Sequence, residues 1–505
     1  MTDNQQAVFD FLATRGRGVK RIDTHAASVF LSGDRVLKVK RAVKFLFLDF
    51  STLEKRKAAC EAEIEVNRPY APKVYRGVVA ITREPDGTLA IDGKGEPIEY
   101  AVDMARFDET QTLDHVADRG GINDALADRL GRAVASAHTI APVRRDANFA
   151  ATLDEIIAQN DTELGSSPEL FDPGAVKALT AASRAALTRS RSLLEARENA
   201  RCVRRCHGDL HLGNLVLIDE APMLFDAIEF NDKLAIIDRF YDVAFLLMDL
   251  IERGLAPAAA TVLNRYLAET NDDSDLDALA LLPLLMSLRA AIRAKVTAAR
   301  PNRDAALDQR ARDYFALAQR LIAPPAPRLI AVGGLSGTGK SVLARALTAY
   351  LPPLPGAIWL RSDVIRKRMF GKKETEALAG EAYTPEVTKK VYAALAAKAA
   401  RIVAAGHSVI ADAVFARASE RADIERAAPQ VFRGLFLTAD LDTRLARVGG
   451  RESSKAKGIG DASDAGAKVA RAQENYDLGH LSWAQVDASG TPEQTLNNAR
   501  KALKT

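Results

Sequence analysis

The sequence predicts two folded parts in series. The first is an α+β part with a small β-rich lobe ahead of a larger helical lobe. The second is an α/β part built on a parallel, doubly wound sheet. Three observations predict this. Short alternating apolar segments crowd residues 19–104 and give way to helical periodicity over 113–322. Three prolines then fall within Ala323-Pro-Pro-Ala-Pro327, where neither a helix nor a central strand can continue. Beyond them the pattern becomes strand, helix, strand, helix. The expected domains are therefore 1–322 and 328–505, joined by a linker at 323–327.

In the small lobe the strands are expected at 27–31, 35–39, 73–81 and 99–104, with one helix over 53–67. The large lobe is helical apart from a strand-and-turn island at 201–230. The second part has strands at 329–332, 357–361, 408–411, 432–437 and 484–487. Charged residues make up 27% of the chain and hydrophobic ones 48%, which excludes a disordered or collagenous protein. Only 6% is aromatic, so the apolar content is mostly Ala, Leu and Val and suits helices over a β-sandwich. Three cysteines exclude a disulfide scaffold. No signal-peptide pattern opens the chain, and its longest uncharged apolar run is about 11 residues against the ~20 a bilayer needs. A cytoplasmic chain with no membrane partner is expected. Nothing points to nucleic acid as a partner, and the oligomeric state cannot be read from the sequence. Residues 328–505 carry a net charge of about +9 and the remainder about −5, an asymmetry that suggests an anionic ligand for the second part.

Gly334-Leu-Ser336-Gly337-Thr338-Gly339-Lys340-Ser341 has the pattern G-x-x-x-x-G-K-S between an apolar strand and a helix. Its glycines let backbone N–H groups turn inward around phosphates, and the helix start adds partial positive charge. Lys340 would reach the β- and γ-phosphates of ATP and Ser341 would hold Mg²⁺. Strand ends supply further candidates. Asp363 follows the second strand and suits a base for an acceptor hydroxyl, and Arg366 suits an anionic group on that acceptor. Asp412 ends the third strand as a second Mg²⁺ ligand. Arg447 and Arg451, four apart, share one helical face as a lid over the transferring phosphate.

These residues resemble the small-molecule kinases of the P-loop superfamily, near the zeta-toxin, gluconate-kinase and polynucleotide-kinase groups. The resemblance covers 328–505 and includes Ser362-Asp363-Val-Ile-Arg366, Ala405-Gly406 and Ser463-Asp464-Ala465. Residues between Arg451 and Ser463 depart from it.

The other informative string is His207-Gly-Asp209-Leu-His-Leu-Gly-Asn214, spaced H-x-D-x-x-x-x-N like a kinase catalytic loop. One loop thus delivers a base, Asp209, and a metal ligand, Asn214. Leu224-Phe225-Asp226 follows as an apolar strand ending in a second metal ligand. Cys202, Cys206 and His207 lie close together but lack a fourth ligand for a closed zinc site.

The string resembles the aminoglycoside phosphotransferases and the choline and homoserine kinases, which share the protein-kinase-like fold. Closer still, it looks like a branch often found fused to a P-loop kinase, which would account for the whole chain. The resemblance implies that Lys38 pairs with the α/β-phosphates, with Lys40 as rival. Glu63 would be its helix partner, with Glu61 as rival, and 99–104 would be the adenine hinge. Thr24-His-Ala-Ala-Ser28 departs from the protein-kinase glycine loop, although Ser28 could still donate to a phosphate. Neither D-F-G nor A-P-E occurs. The expected function is a bifunctional ATP- and Mg²⁺-dependent phosphotransferase acting on hydroxyls of small molecules. The alternative is a single kinase whose second domain is a regulatory ATP-binding module.

Overall fold

A computed structural model of the chain describes residues 3–15, 18–45, 48–145, 147–456 and 463–504. Two compact units emerge, one of Met1–Arg253 with Leu288–Phe315, the other of Gly254–Ser287 with Ala316–Thr505.

The first unit opens on a helix, Asp3–Thr14, absent from the sequence expectation. Its Val8, Phe9 and Leu12 cover one face of a six-stranded antiparallel sheet, against Phe30, Leu37, Val39 and Ile81. The other face, with Val36, Val102 and Met104, packs on Cys60 of the helix Leu53–Asn67. That helix starts where Thr52 accepts the Lys55 N–H, satisfying one of the unpaired donors of its first turn. Strands Ala27–Ser32, Arg35–Lys40, Tyr75–Arg83 and Glu96–Ala105 stand where the apolar alternation puts them. The expected hinge does not: residues 101–104 are bonded to strands on both sides, so no backbone edge is left there for adenine.

The helical lobe contains two small ladders. Val203–Arg205 pairs with Ile236–Asp238, and Leu215–Ile218 pairs with Ala221–Leu224, which together frame the loop between Cys206 and Asp226. Among the described residues no helix is long and apolar enough to cross a membrane.

In the second unit five parallel strands run in the order Ile358–Arg361, Val409–Asp412, Leu329–Gly334, Phe432–Thr438, Ala484–Asp487. The central strand Leu329–Gly334 is buried throughout, as expected for a sheet covered on both faces. The division between units does not fall at 323–327, where the prolines suggested it, and a sheet edge explains why. The outer edge of Ile358–Arg361 is capped by Asn264, on the helix Ala256–Thr270: Trp359 N–H donates to its Oδ1 (2.7 Å) and its Nδ2 donates to Ala357 O (3.0 Å). Nearby, Arg401 holds Asp277 through two bonds of 2.5 and 2.6 Å. An uncovered edge strand would present unpaired N–H and C=O groups.

Both tryptophans, Trp359 and Trp483, belong to this second unit, so tryptophan fluorescence reports its unfolding. Replacing Asn264 by Ala should destabilise the unit by about 1–3 kcal/mol, the cost of leaving the two edge groups without a partner. An unchanged denaturation midpoint would contradict the edge-cap role.

His407, just before strand Val409–Asp412, is buried, and its Nε2–H donates to Gly356 O at 2.8 Å. Burial pulls the imidazole down to about 4. Between pH 6.5 and 4 the unfolded chain therefore takes up a proton that the folded one refuses. Stability conferred by the neutral ring is complete above 6.5 and should fall by about 3 kcal/mol as the pH drops to 4. His407→Gln should flatten that part of the pH–stability curve.

Candidate active sites

The first site is assembled around a shared carboxylate. Lys38 and Lys40 are two apart on one strand and so point to the same face. Both reach Glu63: Lys38 Nζ lies 2.9 Å from Oε1, and Lys40 pairs with Oε2. The two rival lysines thus hold one partner, whereas Glu61 is exposed beside Lys57. Lys38 also reaches Asp226 Oδ1 at 2.6 Å, and Lys40 pairs with Glu229. The result is an alternating row: Asp226, Lys38, Glu63, Lys40, Glu229. Burial pulls the Lys38 ammonium down, but the charges of Asp226, Glu63 and Glu229 more than reverse this and hold it well above its ordinary value. Burial raises Glu63, and the two lysines outweigh it and keep it low. Three carboxyls face two ammoniums, and Glu229 is the one that burial pushes up.

The catalytic-type loop hangs on Asp242, from the helix Arg239–Glu252. Its carboxylate accepts the backbone N–H groups of His207 and Gly208, each at 3.0 Å, and lies 3.2 Å from His138 Nε2. Gly208 has φ +85°, and a Cβ there would sit 2.9 Å from Leu234 O, so only glycine fits. His207 Nε2 reaches Phe225 O (2.9 Å), which ties the loop to the strand end bearing Asp226. Burial lowers its pKa and keeps the ring a neutral donor. Asn214 Nδ2 donates to Asp209 O (2.9 Å) and Oδ2 (3.1 Å), and His211 Nε2 lies 3.4 Å from the same Oδ2. Leu212 N–H is held by Asp249 at 2.9 Å.

Although His138, His207, Asp242 and Asp249 are buried, the Asp209 and Asp226 side chains remain 43% and 46% exposed, so both open outward. Burial opposes ionisation of Asp209, but the His211 hydrogen bond and charge, then His207 and Arg289, hold its carboxyl well below the usual range. The same pairing raises His211 despite its burial. Asp209, Asn214 and Asp226 offer only oxygen donors, the set a hard cation such as Mg²⁺ takes. His138, Cys206 and Asp242 also converge within 4.8 Å. However, Asp242 is already bonded, and Cys206 donates to Ile237 O with its thiol pushed far up by burial, so this trio is a structural support. Ser28 is not available to a phosphate either, because its hydroxyl donates to Asp23 at 2.7 Å.

In the second unit the strand register brings the candidates together. Val332 and Arg361 both lie opposite Asp412, so the phosphate loop, Asp412 and the helix start at Asp363 occupy the same end of three adjacent strands. Asp412 is pushed up by burial and opposed by Lys340, Arg361 and a hydrogen bond from Ser341; Trp359 Nε1 donates to it at 3.2 Å. Within the loop, Lys340 Nζ reaches Leu335 O at 3.2 Å and Thr338 Oγ1 donates to the same carbonyl at 2.8 Å. Gly337, at φ +88°, would place a Cβ 2.5 Å from Arg444 O.

The loop is braced from outside. Arg444 Nε donates to Ser336 O (2.9 Å) and Gln473 accepts the Ser336 N–H (2.6 Å). Arg447, expected as a lid, donates to Ala488 O and Gly490 O and reaches Thr338 O at 3.4 Å, so it braces the loop as well. The side chain of Arg451 lies outside the described residues. Arg366 is buried, donates to Ala382 O (2.6 Å) and Thr388 Oγ1 (3.3 Å), and lies against the Tyr383 ring. Its Nε has no partner among the described residues. Glu229, Asp242, Asp249, Arg444 and Gln473 were not anticipated as parts of the sites. Only Glu229, three residues past Asp226, had a sequence cue.

Residues 62–282 match the model of the phosphotransferase enzyme family, and residues 329–476 match that of an AAA domain family. An uncharacterized protein of Mycobacterium tuberculosis is 29% identical over 498 residues, covering 94% of both chains, and its counterpart in Mycobacterium bovis aligns equally. Similar solved structures include a choline kinase from Cryptosporidium parvum (11% identity, 62% of this chain and 94% of that one, TM-score 0.40). A gluconokinase from Sinorhizobium meliloti is another (20%, 35% and 92%, 0.26), and an aminoglycoside 2'-phosphotransferase a third (16%, 62% and 96%, 0.38). The two family matches place a phosphotransferase-family domain in the first part of the chain and an AAA-type P-loop domain in the second. A purely regulatory second domain is not favoured.

The charge row around Glu63 makes a testable stability claim. Lys40→Met leaves Glu229 buried and unpaired and should cost about 3–5 kcal/mol, the range for breaking a buried ion pair. Adding Glu229→Gln should recover part of this, which a double-mutant cycle by chemical denaturation measures. Strict additivity would show that the two groups do not interact.

Proposed function

We propose that each part transfers the γ-phosphoryl group of ATP to a hydroxyl of its own small-molecule acceptor, in a cytoplasmic setting suited to three free, buried cysteines. The observation that carries this reading is the same in both units. A lysine suited to phosphates stands beside two carboxylates close enough to act on each other: Lys38 with Asp226 and Asp209, and Lys340 with Asp412 and Asp363.

In the first unit Asp209 orients the acceptor hydroxyl and takes its proton as the oxygen bonds to the γ-phosphorus. The β–γ bridge breaks and ADP leaves. Lys38, held by Glu63, addresses the α/β-phosphates. Asn214 and Asp226 are the residues that would hold Mg²⁺, which supplies neutralisation of the phosphate charge. In the second unit the backbone of Gly334 to Gly339 cradles the phosphates, Ser341 and Asp412 would hold the metal, and Asp363 is the base. Arg447 acts on the nucleotide through the loop it braces, and Arg451 is assigned to the nucleotide side. Arg366, with its unpartnered Nε, is assigned to an anionic acceptor.

Because the two sets belong to different units, each should fail alone. Asp209→Asn should lower one phosphoryl transfer by about 10²–10⁴, the usual worth of a general base, and leave the other. Lys340→Ala should do the reverse. Phosphoryl transfer followed with γ-labelled ATP on the full chain reads both. Loss of all transfer from either single change, in a folded protein, would refute independent sites. In the same assay Arg366→Lys should raise the acceptor KM of the second site more than its ATP KM, and an equal rise in both would remove Arg366 from acceptor binding.

A further inference from the structure

Two arginines in the first unit have no place in the chemistry above. Arg289 and Arg293 lie one turn apart on the helix Leu282–Ala298. Arg289 is only 6% exposed, yet no carboxylate among the described residues pairs with it. Its guanidinium lies over Tyr241, 3.7 Å from the ring centroid, and 4.7 Å from that of Phe245, with Nε donating to Tyr241 O at 3.3 Å. Its Nη2 is buried with no partner. Arg293, half-buried, leans over Tyr314 at 5.6 Å and likewise has no ion pair among the described residues. A buried guanidinium that no carboxylate bonds directly is costly, and native structures rarely keep one without a use.

The position of Arg289 suggests that use. Phe245, on which it rests, packs 5.5 Å from the His211 ring, and His211 lies 3.4 Å from the Asp209 carboxylate. Arg289 lies within electrostatic reach of Asp209 and Asp242, and Arg293 within that of Asp209 and Asp249. The acids nearby are occupied. Asp249 accepts the Leu212 N–H and pairs with Arg253, and Glu252 pairs with Arg310. Asp114 accepts from Thr112 and the His115 N–H. The helical-lobe side of Asp209 therefore holds two guanidiniums that no carboxylate among the described residues bonds. ATP is not the evident claimant, because Lys38 and Asp226 address its phosphates from the strands of the small lobe and the hairpin.

We propose that the acceptor of the first kinase site is a hydroxyl compound bearing an oxyanion, carboxylate or phosphate, which Arg289 and Arg293 bind on the His211 side of Asp209. Cationic acceptors such as amino sugars and quaternary amines are excluded by the same charges. A guanidinium stacked on aromatic rings is already oriented, so its free N–H meets an oxyanion with little further ordering. This inference rests on the kinase reading of the first site and names its substrate class.

The test uses the full chain carrying Lys340→Ala, so that only the first site transfers. Glycerate and glucose 6-phosphate serve as anionic probes, glycerol and glucose as neutral ones, and choline and kanamycin as cationic ones. Each is assayed with γ-labelled ATP as acceptor and as inhibitor of the slow Asp209-dependent hydrolysis of ATP. An anionic probe should be phosphorylated, or should inhibit, at least tenfold more efficiently than its neutral counterpart, and the cationic probes should do neither. Arg289→Met should raise the KM or inhibition constant of that probe at least tenfold, with Arg289→Lys intermediate. Arg293→Gln gives the same readout if the Met variant folds poorly. Transfer to choline or kanamycin, no response to any anionic probe, or an anion constant unmoved by these variants would overturn the proposal while leaving the kinase reading intact. ATP turnover that persists in Asp209→Asn would instead overturn the kinase reading, and this inference with it.

Discussion

On the proposed reading Asp226 holds a cation beside a polyanion, and it has to stay ionised and aimed while half withdrawn from water. Almost everything in the first unit follows from that constraint. Asp226 stands at φ +60°, a conformation costly for a residue with a Cβ, and is kept there by its N–H bond to the Tyr75 hydroxyl and by Lys38. Lys38 alone would be a mobile partner. Glu63 fixes it, Lys40 fixes Glu63, and Glu229 closes the row from the same segment as Asp226. The segment 226–229 therefore grips the small lobe at two points, so a shift of the helix Leu53–Asn67 would disturb the metal-type carboxylate and the phosphate-type lysine together. Asp242 does for Asp209 what this row does for Asp226, by holding two successive backbone N–H groups of its loop.

The second unit meets the same need with backbone. Its phosphate loop has to keep N–H groups turned inward, so side chains from elsewhere must hold the loop's outer surface. Arg444 and Arg447 do so through carbonyls, and the fit is close enough that Gly337 has no room for a Cβ. Arginine suits the task because its planar fork of donors can serve several carbonyls at once. Arg444 takes Ser336 O and Ala470 O, and Arg447 takes Ala488 O and Gly490 O.

What the sequence made legible has a physical logic. Strands such as Arg35–Lys40 and Val409–Asp412, and the helix Leu53–Asn67, announce themselves by local periodicity. Residues within one short loop, such as Asp209 and Asn214, announce themselves by spacing. Lys38 against Lys40 could not be decided, because two lysines two apart on a strand share a face, and the structure uses both on one glutamate. Asp242 and Gln473 were invisible because each acts through tertiary contact with a loop 34 or 137 residues away. The helix Asp3–Thr14 was missed because the apolar residues it packs on the sheet, Val8, Phe9, Phe11 and Leu12, fall within five positions, too short a run for a sustained pattern.

The proline-rich segment illustrates a deeper limit. Proline there does stop the helix Ala305–Ile322, and a new strand does begin at Leu329. But a chain break in secondary structure need not be a break between compact bodies. The edge strand Ile358–Arg361 leaves an outward N–H at Trp359 and a C=O at Ala357, and such groups must be met by water, by another strand or by a side chain. Asn264 presents one acceptor and one donor in the spacing of a peptide group, so its carboxamide stands in for the next strand. A residue some 60 positions before the prolines thus completes the sheet after them. The helices from Gly254 to Ser287 follow Asn264 into the second unit, although they lie within the sequence stretch that matches the phosphotransferase family.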